Sequence, residues 1–158
     1  MLRPHLADAF RYTAWADRRV ADALSVLGPD MPPGALRLFS HVARAEAIWL
    51  GRVLGTADAR LAVWEDDPLA VAADRAERAS AGWAAHLLSV PEAALAADVT
   101  YQNSRGEAFT TPLDEIAAHT VAHGAYHRGQ IAQLLRAAGH APPATDRIVY
   151  ARIAVSER

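Results

Sequence analysis

Apolar residues recur along this chain three and four positions apart, the beat of helices with one buried face, and clusters of glycine and proline interrupt it. The pattern predicts four long helices. The first runs from about Pro4 to Leu27, with Leu6, Phe10, Thr13, Asp17, Val20, Leu24 and Leu27 on one stripe, and stops at Gly28-Pro29. The second covers Ala35 to Leu54 and closes on Gly55. The third covers Pro68 to Ser89, with Asp66 or Asp67 as its cap and Pro91 beyond its end. The fourth starts where Thr111 can cap the amides, Pro112 fills the first turn and Asp114 and Glu115 favour the dipole; it ends near Ala138, before Gly139.

Between the third and fourth helices, β-formers flank Asn103-Ser104-Arg105-Gly106, which predicts a short hairpin or an extended connection. After the double proline at 142 and 143, a short helix or strand is expected over Asp146 to Val155. Four amphipathic helices joined in this way predict an all-α fold, a four-helix bundle with a long connection before its last helix. At 158 residues the whole chain, 1–158, reads as a single domain able to bury about two thirds of its unfolded surface.

Composition removes several kinds of chemistry. There is no cysteine, hence no disulfide, no thiolate nucleophile and no sulfur-ligated zinc; a transition-metal site would have to use imidazole and carboxylate. The 16 basic residues, all arginine, are matched by 18 acidic ones without a long run of either sign, which disfavours nucleic acid and anionic lipid as partners. No signal-like apolar run or membrane-length segment is present, so the expected location is cytoplasmic.

Candidate chemistry lies where polar residues break the apolar stripes. In the fourth helix Leu113, Ile116, Ala117, Ile131, Leu134, Leu135 and Ala138 define the core arc; His127 falls within it and His123 on its flank. Rings four residues apart stand about 6 Å apart along the axis, the spacing by which one helix offers two imidazoles to one ion. His119 is about 12 Å from His127 along the axis, too far to share a metal held at about 2.0 to 2.1 Å. Helical glycines cost roughly 1 kcal/mol against alanine, so Gly124 and Gly129 beside the pair point to something approaching the backbone closely.

Asp17 and Glu46 also sit on apolar stripes, where a carboxylate needs a partner. Either each pairs with an arginine, Arg18, Arg19, Arg44 or another, or each accepts from the free ring nitrogen of a ligating histidine. His41 borders the arc of the second helix. Trp15, Trp49 and Trp83 read as core anchors. Tyr12 and Tyr126 could donate a hydrogen bond in a cavity.

Several of these residues form a known pattern. Tyr12-Thr13-Ala14-Trp15-Ala16-Asp17-Arg18-Arg19, then His41 with Glu46 and Trp49, then His119, His123, Tyr126, His127, Arg128, Gly129, Gln130 and Ile131 resemble the signatures of the DinB-like (DinB/YfiT) family of metal-binding four-helix proteins. The likeness continues through LLRAAGHAPPATD to Tyr150. The resemblance implies that His41, His123 and His127 bind a divalent metal ion; neutral nitrogen ligands suit zinc or nickel first, with iron or manganese next, and availability decides among them. It leaves His119 outside the ligand set, and asparagine is common in the family where Thr13, Asp17 and Ala122 stand here.

Three imidazoles leave coordination positions open, as catalytic sites do. The resemblance implies a metal-dependent enzyme of the low-molecular-weight thiol S-transferase type, acting on a small-molecule thiol and an electrophile, with Tyr126 and Arg128 as candidate catalytic residues. Arg128 or Arg19 would hold a substrate carboxylate and Tyr126 would orient it. The alternative is a non-catalytic metal-binding stress-response protein. A homodimer is expected in either case, with no nucleic acid and no membrane partner.

Overall fold

The computed structural model describes residues 2–58 and 61–156. Its helices are α1 (Leu2–Leu27), α2 (Ala35–Leu54), α3 (Leu69–Ser89), α4 (Leu113–Ala137) and α5 (Arg147–Ser156), and an antiparallel hairpin of β1 (Asp98–Gln102) and β2 (Ala108–Pro112) separates α3 from α4. The fold is mostly helical, as the periodicity predicts. Of the two segments with open alternatives, one is a hairpin and the other a helix. α1 and α2 each pack on both α3 and α4. Gly55 ends α2 with φ 68°, a left-handed residue that lets its amide close the last turn.

Two apolar clusters make up the core. One contains Val20, Leu24, Phe39, Ala76, Ile131 and Leu135; the other contains Phe10, Trp83, Leu87, Leu113 and Ile116. Phe10 stacks on Trp83 with ring centroids 4.8 Å apart. On every long helix a buried polar residue lies in sequence between the residues given to the two clusters: Asp17 on α1, Glu46 on α2, Ser80 on α3 and Arg128 on α4.

These four make a charged layer inside the protein. Arg128 donates to Asp17 Oδ1 at 2.8 Å, and Ser80 donates to Glu46 Oε2 at 3.3 Å. The predicted arginine partner of Asp17 is thus Arg128. Burial pushes the Glu46 carboxyl well above the ordinary carboxylate range; the charge of Asp17 adds to this and Arg128 opposes it. With its proton kept, Glu46 leaves one negative and one positive group in the layer, which avoids an unpaired buried charge.

A second clamp fixes the connection between α2 and α3. Arg44, buried on α2, donates to both carboxylate oxygens of Asp67 at 2.8 and 2.6 Å, to Glu65 at 2.8 Å and to the Ala62 carbonyl at 2.8 Å. The Ser40 hydroxyl accepts from the Asp67 amide at 3.1 Å. This overturns the cap expected for α3: its N-cap is Pro68, with no side-chain cap bond, because the Arg44 fork holds the Asp67 carboxylate instead. Thr111 is likewise no cap. It lies in β2, the N-cap of α4 is Pro112, and the Leu113 amide donates to the Ala97 carbonyl at 3.1 Å. Among the three tryptophans expected in the core, Trp83 is fully buried, while Trp15 and Trp49 are half-buried at its margins.

The two glycines of α4 differ in their surroundings. A Cβ on Gly124 would lie 3.0 Å from Arg128 Nη1 and 3.2 Å from Glu46 Oε1, whereas one on Gly129 meets nothing within 4 Å. Close approach therefore explains Gly124, and the expectation fails for Gly129. Helix propensity favours alanine at either site by about 1 kcal/mol, but crowding the buried Arg128 guanidinium, whose Nη1 is held by Asp17, costs about 1–3 kcal/mol. Gly124→Ala should destabilise the protein and Gly129→Ala should stabilise it by up to about 1 kcal/mol. Urea-unfolding midpoints read both changes, and a stabilised Gly124→Ala would show that the charged layer can shift.

A candidate metal centre between two helices

His41 on α2 and His123 and His127 on α4 converge where these helices pack together. His123 Nε2 lies 3.1 Å from His41 Nε2 and 3.1 Å from His127 Nε2. Four ligands set tetrahedrally at about 2.0 to 2.1 Å from a zinc ion would stand roughly 3.3 Å from one another. The spacing of these nitrogens therefore suits a shared ion.

The remaining ring nitrogens decide which lone pairs are free. His41 Nδ1–H donates to the Val63 carbonyl at 3.0 Å, and His127 Nδ1–H donates to Gln130 Oε1 at 2.6 Å. Each bond fixes the tautomer in which Nε2 carries a bare lone pair aimed at the group's centre. One proton on His123 Nε2 can satisfy only one of them. A cation satisfies all three, so the donor set fits a divalent metal, and its identity within the zinc, nickel, iron and manganese series is left to availability.

The surroundings of His123 and His41 favour the neutral ring. Burial lowers the His123 pKa from the ordinary 6.5 to about 4, helped by His127, His41 and His119. His41 is also lowered, chiefly by burial, against the Val63 bond that raises it. Neutral imidazole is the ligating form.

The structure brings together His41, His123 and His127, the three residues that the family resemblance implies. His119 is outside the group, with its ring 5.7 Å from that of His123 and facing Trp49 at 5.3 Å. Asp17 and Glu46 do not serve the histidines, contrary to one of their two expected roles; the acceptors are a loop carbonyl and an amide. Tyr126 is 65% exposed at the edge of the group, its ring 5.1 Å from that of His127. Arg128 points inward, its side chain 1% exposed and bound to Asp17, which removes it as a holder of substrate. Arg19 donates to the Ala144 carbonyl at 2.9 Å and lies over Trp15.

Sequence reasoning missed Val63, Trp64 and the role of Gln130. Trp64 stacks on the His41 ring at 3.6 Å with planes 6° apart, and is 47% exposed. Nothing in the local sequence marks a carbonyl and an indole in an irregular connection as partners of a histidine twenty-odd positions earlier. Gln130 could have been found, because a side chain three residues after His127 on a helix shares its face.

Three imidazoles gathered by two helices of a mostly helical chain define a histidine-lined site that could hold a metal ion. The DinB family model matches residues 1–158, and the chain belongs to that family. It is similar to Protein DinB of Bacillus subtilis (strain 168), with 26% identity over 165 aligned positions that cover 94% of this chain and 95% of that protein.

Removing one ligand should empty the site. His127→Ala should lose most bound metal by elemental analysis while His119→Ala keeps it, and equal contents in the two would refute the grouping. In the metal-free protein the native His123 resists protonation to about 4 whereas the unfolded ring protonates at 6.5. The folded state is therefore at no disadvantage above pH 6.5 and loses stability as pH falls toward about 4. His123→Gln should flatten that part of a urea-midpoint profile.

Proposed function

We propose that this DinB family protein binds a divalent metal ion at His41, His123 and His127 and is a metal-dependent enzyme of the low-molecular-weight thiol S-transferase type. The four long helices are read here as a four-helix bundle with the site between two of its members. The observation that supports an enzyme is the incomplete donor set. Among the described residues the group holds three nitrogens and no carboxylate, one fewer than a closed tetrahedral site needs. A bound ion would supply the positive charge that keeps a thiol ionised at neutral pH.

The chain's own residues define the surroundings of that thiol. Val63 and Gln130 hold two rings in the ligating tautomer. Trp64 covers the face of His41 on one side, and Tyr126 offers a hydroxyl at the exposed rim. In the reaction the thiol loses its proton to solvent, its sulfur pair forms a bond to the electrophilic carbon, and the leaving group departs with the pair of the broken bond. The reading extends to a cytoplasmic homodimer whose partners are a small thiol and an electrophile.

A second reading, a non-catalytic metal-binding stress-response protein, has one observation in its favour. The three ligands come from two helices, α2 and α4, so a bound ion would tie these helices together. The two readings separate on turnover. Metal-loaded protein should consume a thiol and an electrophile together, chromatographically measured, and the metal-free protein should not. If removing the metal lowers only the melting temperature, the ion braces the helices and the enzyme reading is lost.

A further inference from the structure

A ribbon of rings leaves the histidine group along the outside of α2 and α4 and ends at an arginine. From His123, contacts of 5.7 Å to His119, 5.3 Å to Trp49 and 4.5 Å to the Arg52 Cζ follow in sequence. Tyr101 of β1 completes the far end, 5.0 Å from Trp49 and 5.3 Å from the Arg52 Cζ. The hairpin thus has a purpose at this end of the molecule: it lays Tyr101 against α2.

Arg52 differs from the other arginines near the site. Arg44 and Arg128 are bound to buried carboxylates. Among the described residues no carboxylate pairs with Arg52, and Glu115, exposed one turn before His119, forms no ion pair with it. Burial depresses the Arg52 pKa and only Tyr101 acts against it. A guanidinium stacked on ring faces keeps its in-plane N–H donors, the pair that takes a carboxylate in two parallel bonds.

Resting on the thiol-transfer reading above, we propose that Arg52, supported by Trp49 and Tyr101, binds a carboxylate of the substrate, so that the substrate is an anionic molecule lying along the ribbon with its thiol at the histidines. Arg52 lies eleven residues beyond His41 on α2, about 16 Å along the axis, and the side chains lean toward one another along the ribbon, so a thiol and a carboxylate about 10 to 15 Å apart fit, the span of about three or four extended residues. Arg52 is a specificity residue in this scheme and takes no part in the bond changes.

The test uses the full chain loaded with cobalt(II) and two probes of equal length, mercaptooctanoate and its primary amide. Calorimetry reads affinity, and the sulfur-to-cobalt absorption band independently reads whether sulfur reaches the metal. Wild type should bind the carboxylate probe about tenfold or more tightly than the amide, as a charge-assisted bond implies. Arg52→Gln should abolish that preference without changing amide affinity or metal content, and Arg52→Lys, which keeps charge but not the fork, should retain part of it. Equal affinity for the two probes in wild type, or an unchanged preference in Arg52→Gln, overturns the proposal even if the band appears. Absence of the band with both probes sinks the thiol-transfer reading, while the calorimetric preference still decides the role of Arg52.

Discussion

The Arg128–Asp17 ion pair, with Glu46 beside it, is the constraint on which the rest of the structure depends. It joins α1, α2 and α4 in the layer between the two apolar clusters, and its members are at most 2% exposed. Apolar packing is tolerant of small slips, because one methyl group can replace another. A buried ion pair is not, since a lost partner leaves a charge without water or counterion and costs several kcal/mol. The layer thereby fixes the axial position of α4 against α1 and α2.

That register is what the histidines use. Arg128 directly follows His127, and Glu46 lies on α2 five residues after His41, so the helices that carry the charged layer also carry the ligating rings. A shift of one residue along α4 would move His123 and His127 by about 1.5 Å and turn them by about 100°. Nε2 atoms 3.1 Å apart would then no longer meet. Gly124 belongs to the same arrangement: the missing side chain makes room for the guanidinium and carboxylate that set the register.

The irregular segments supply what the helices cannot. Arg44 ties residues 62, 65 and 67 to α2, and the segment so held delivers a carbonyl to His41 Nδ1 and an indole to the ring face. The hairpin brings Tyr101 to Trp49 and Arg52 in the same manner. In both places the helices provide position and a connecting segment provides orientation or recognition. Connecting segments are suited to such tasks because rigid elements hold their ends.

The amino-acid order alone was enough for the helix boundaries of α2 and for the placing of Asp17, Glu46 and His127 on buried faces, because helical periodicity is a local property that a single segment displays. It also separated His119 from the other two histidines of α4, since distance along one axis needs no tertiary knowledge. His41 came from a family likeness and not from its spacing. Partnership was beyond such reasoning. That Arg128 would take Asp17, that Arg44 would take Asp67 from the start of α3, and that Val63 and Trp64 would attend His41 depended on which segments face each other in the folded chain. Periodicity gives a direction around one helix axis, and only packing chooses what stands opposite.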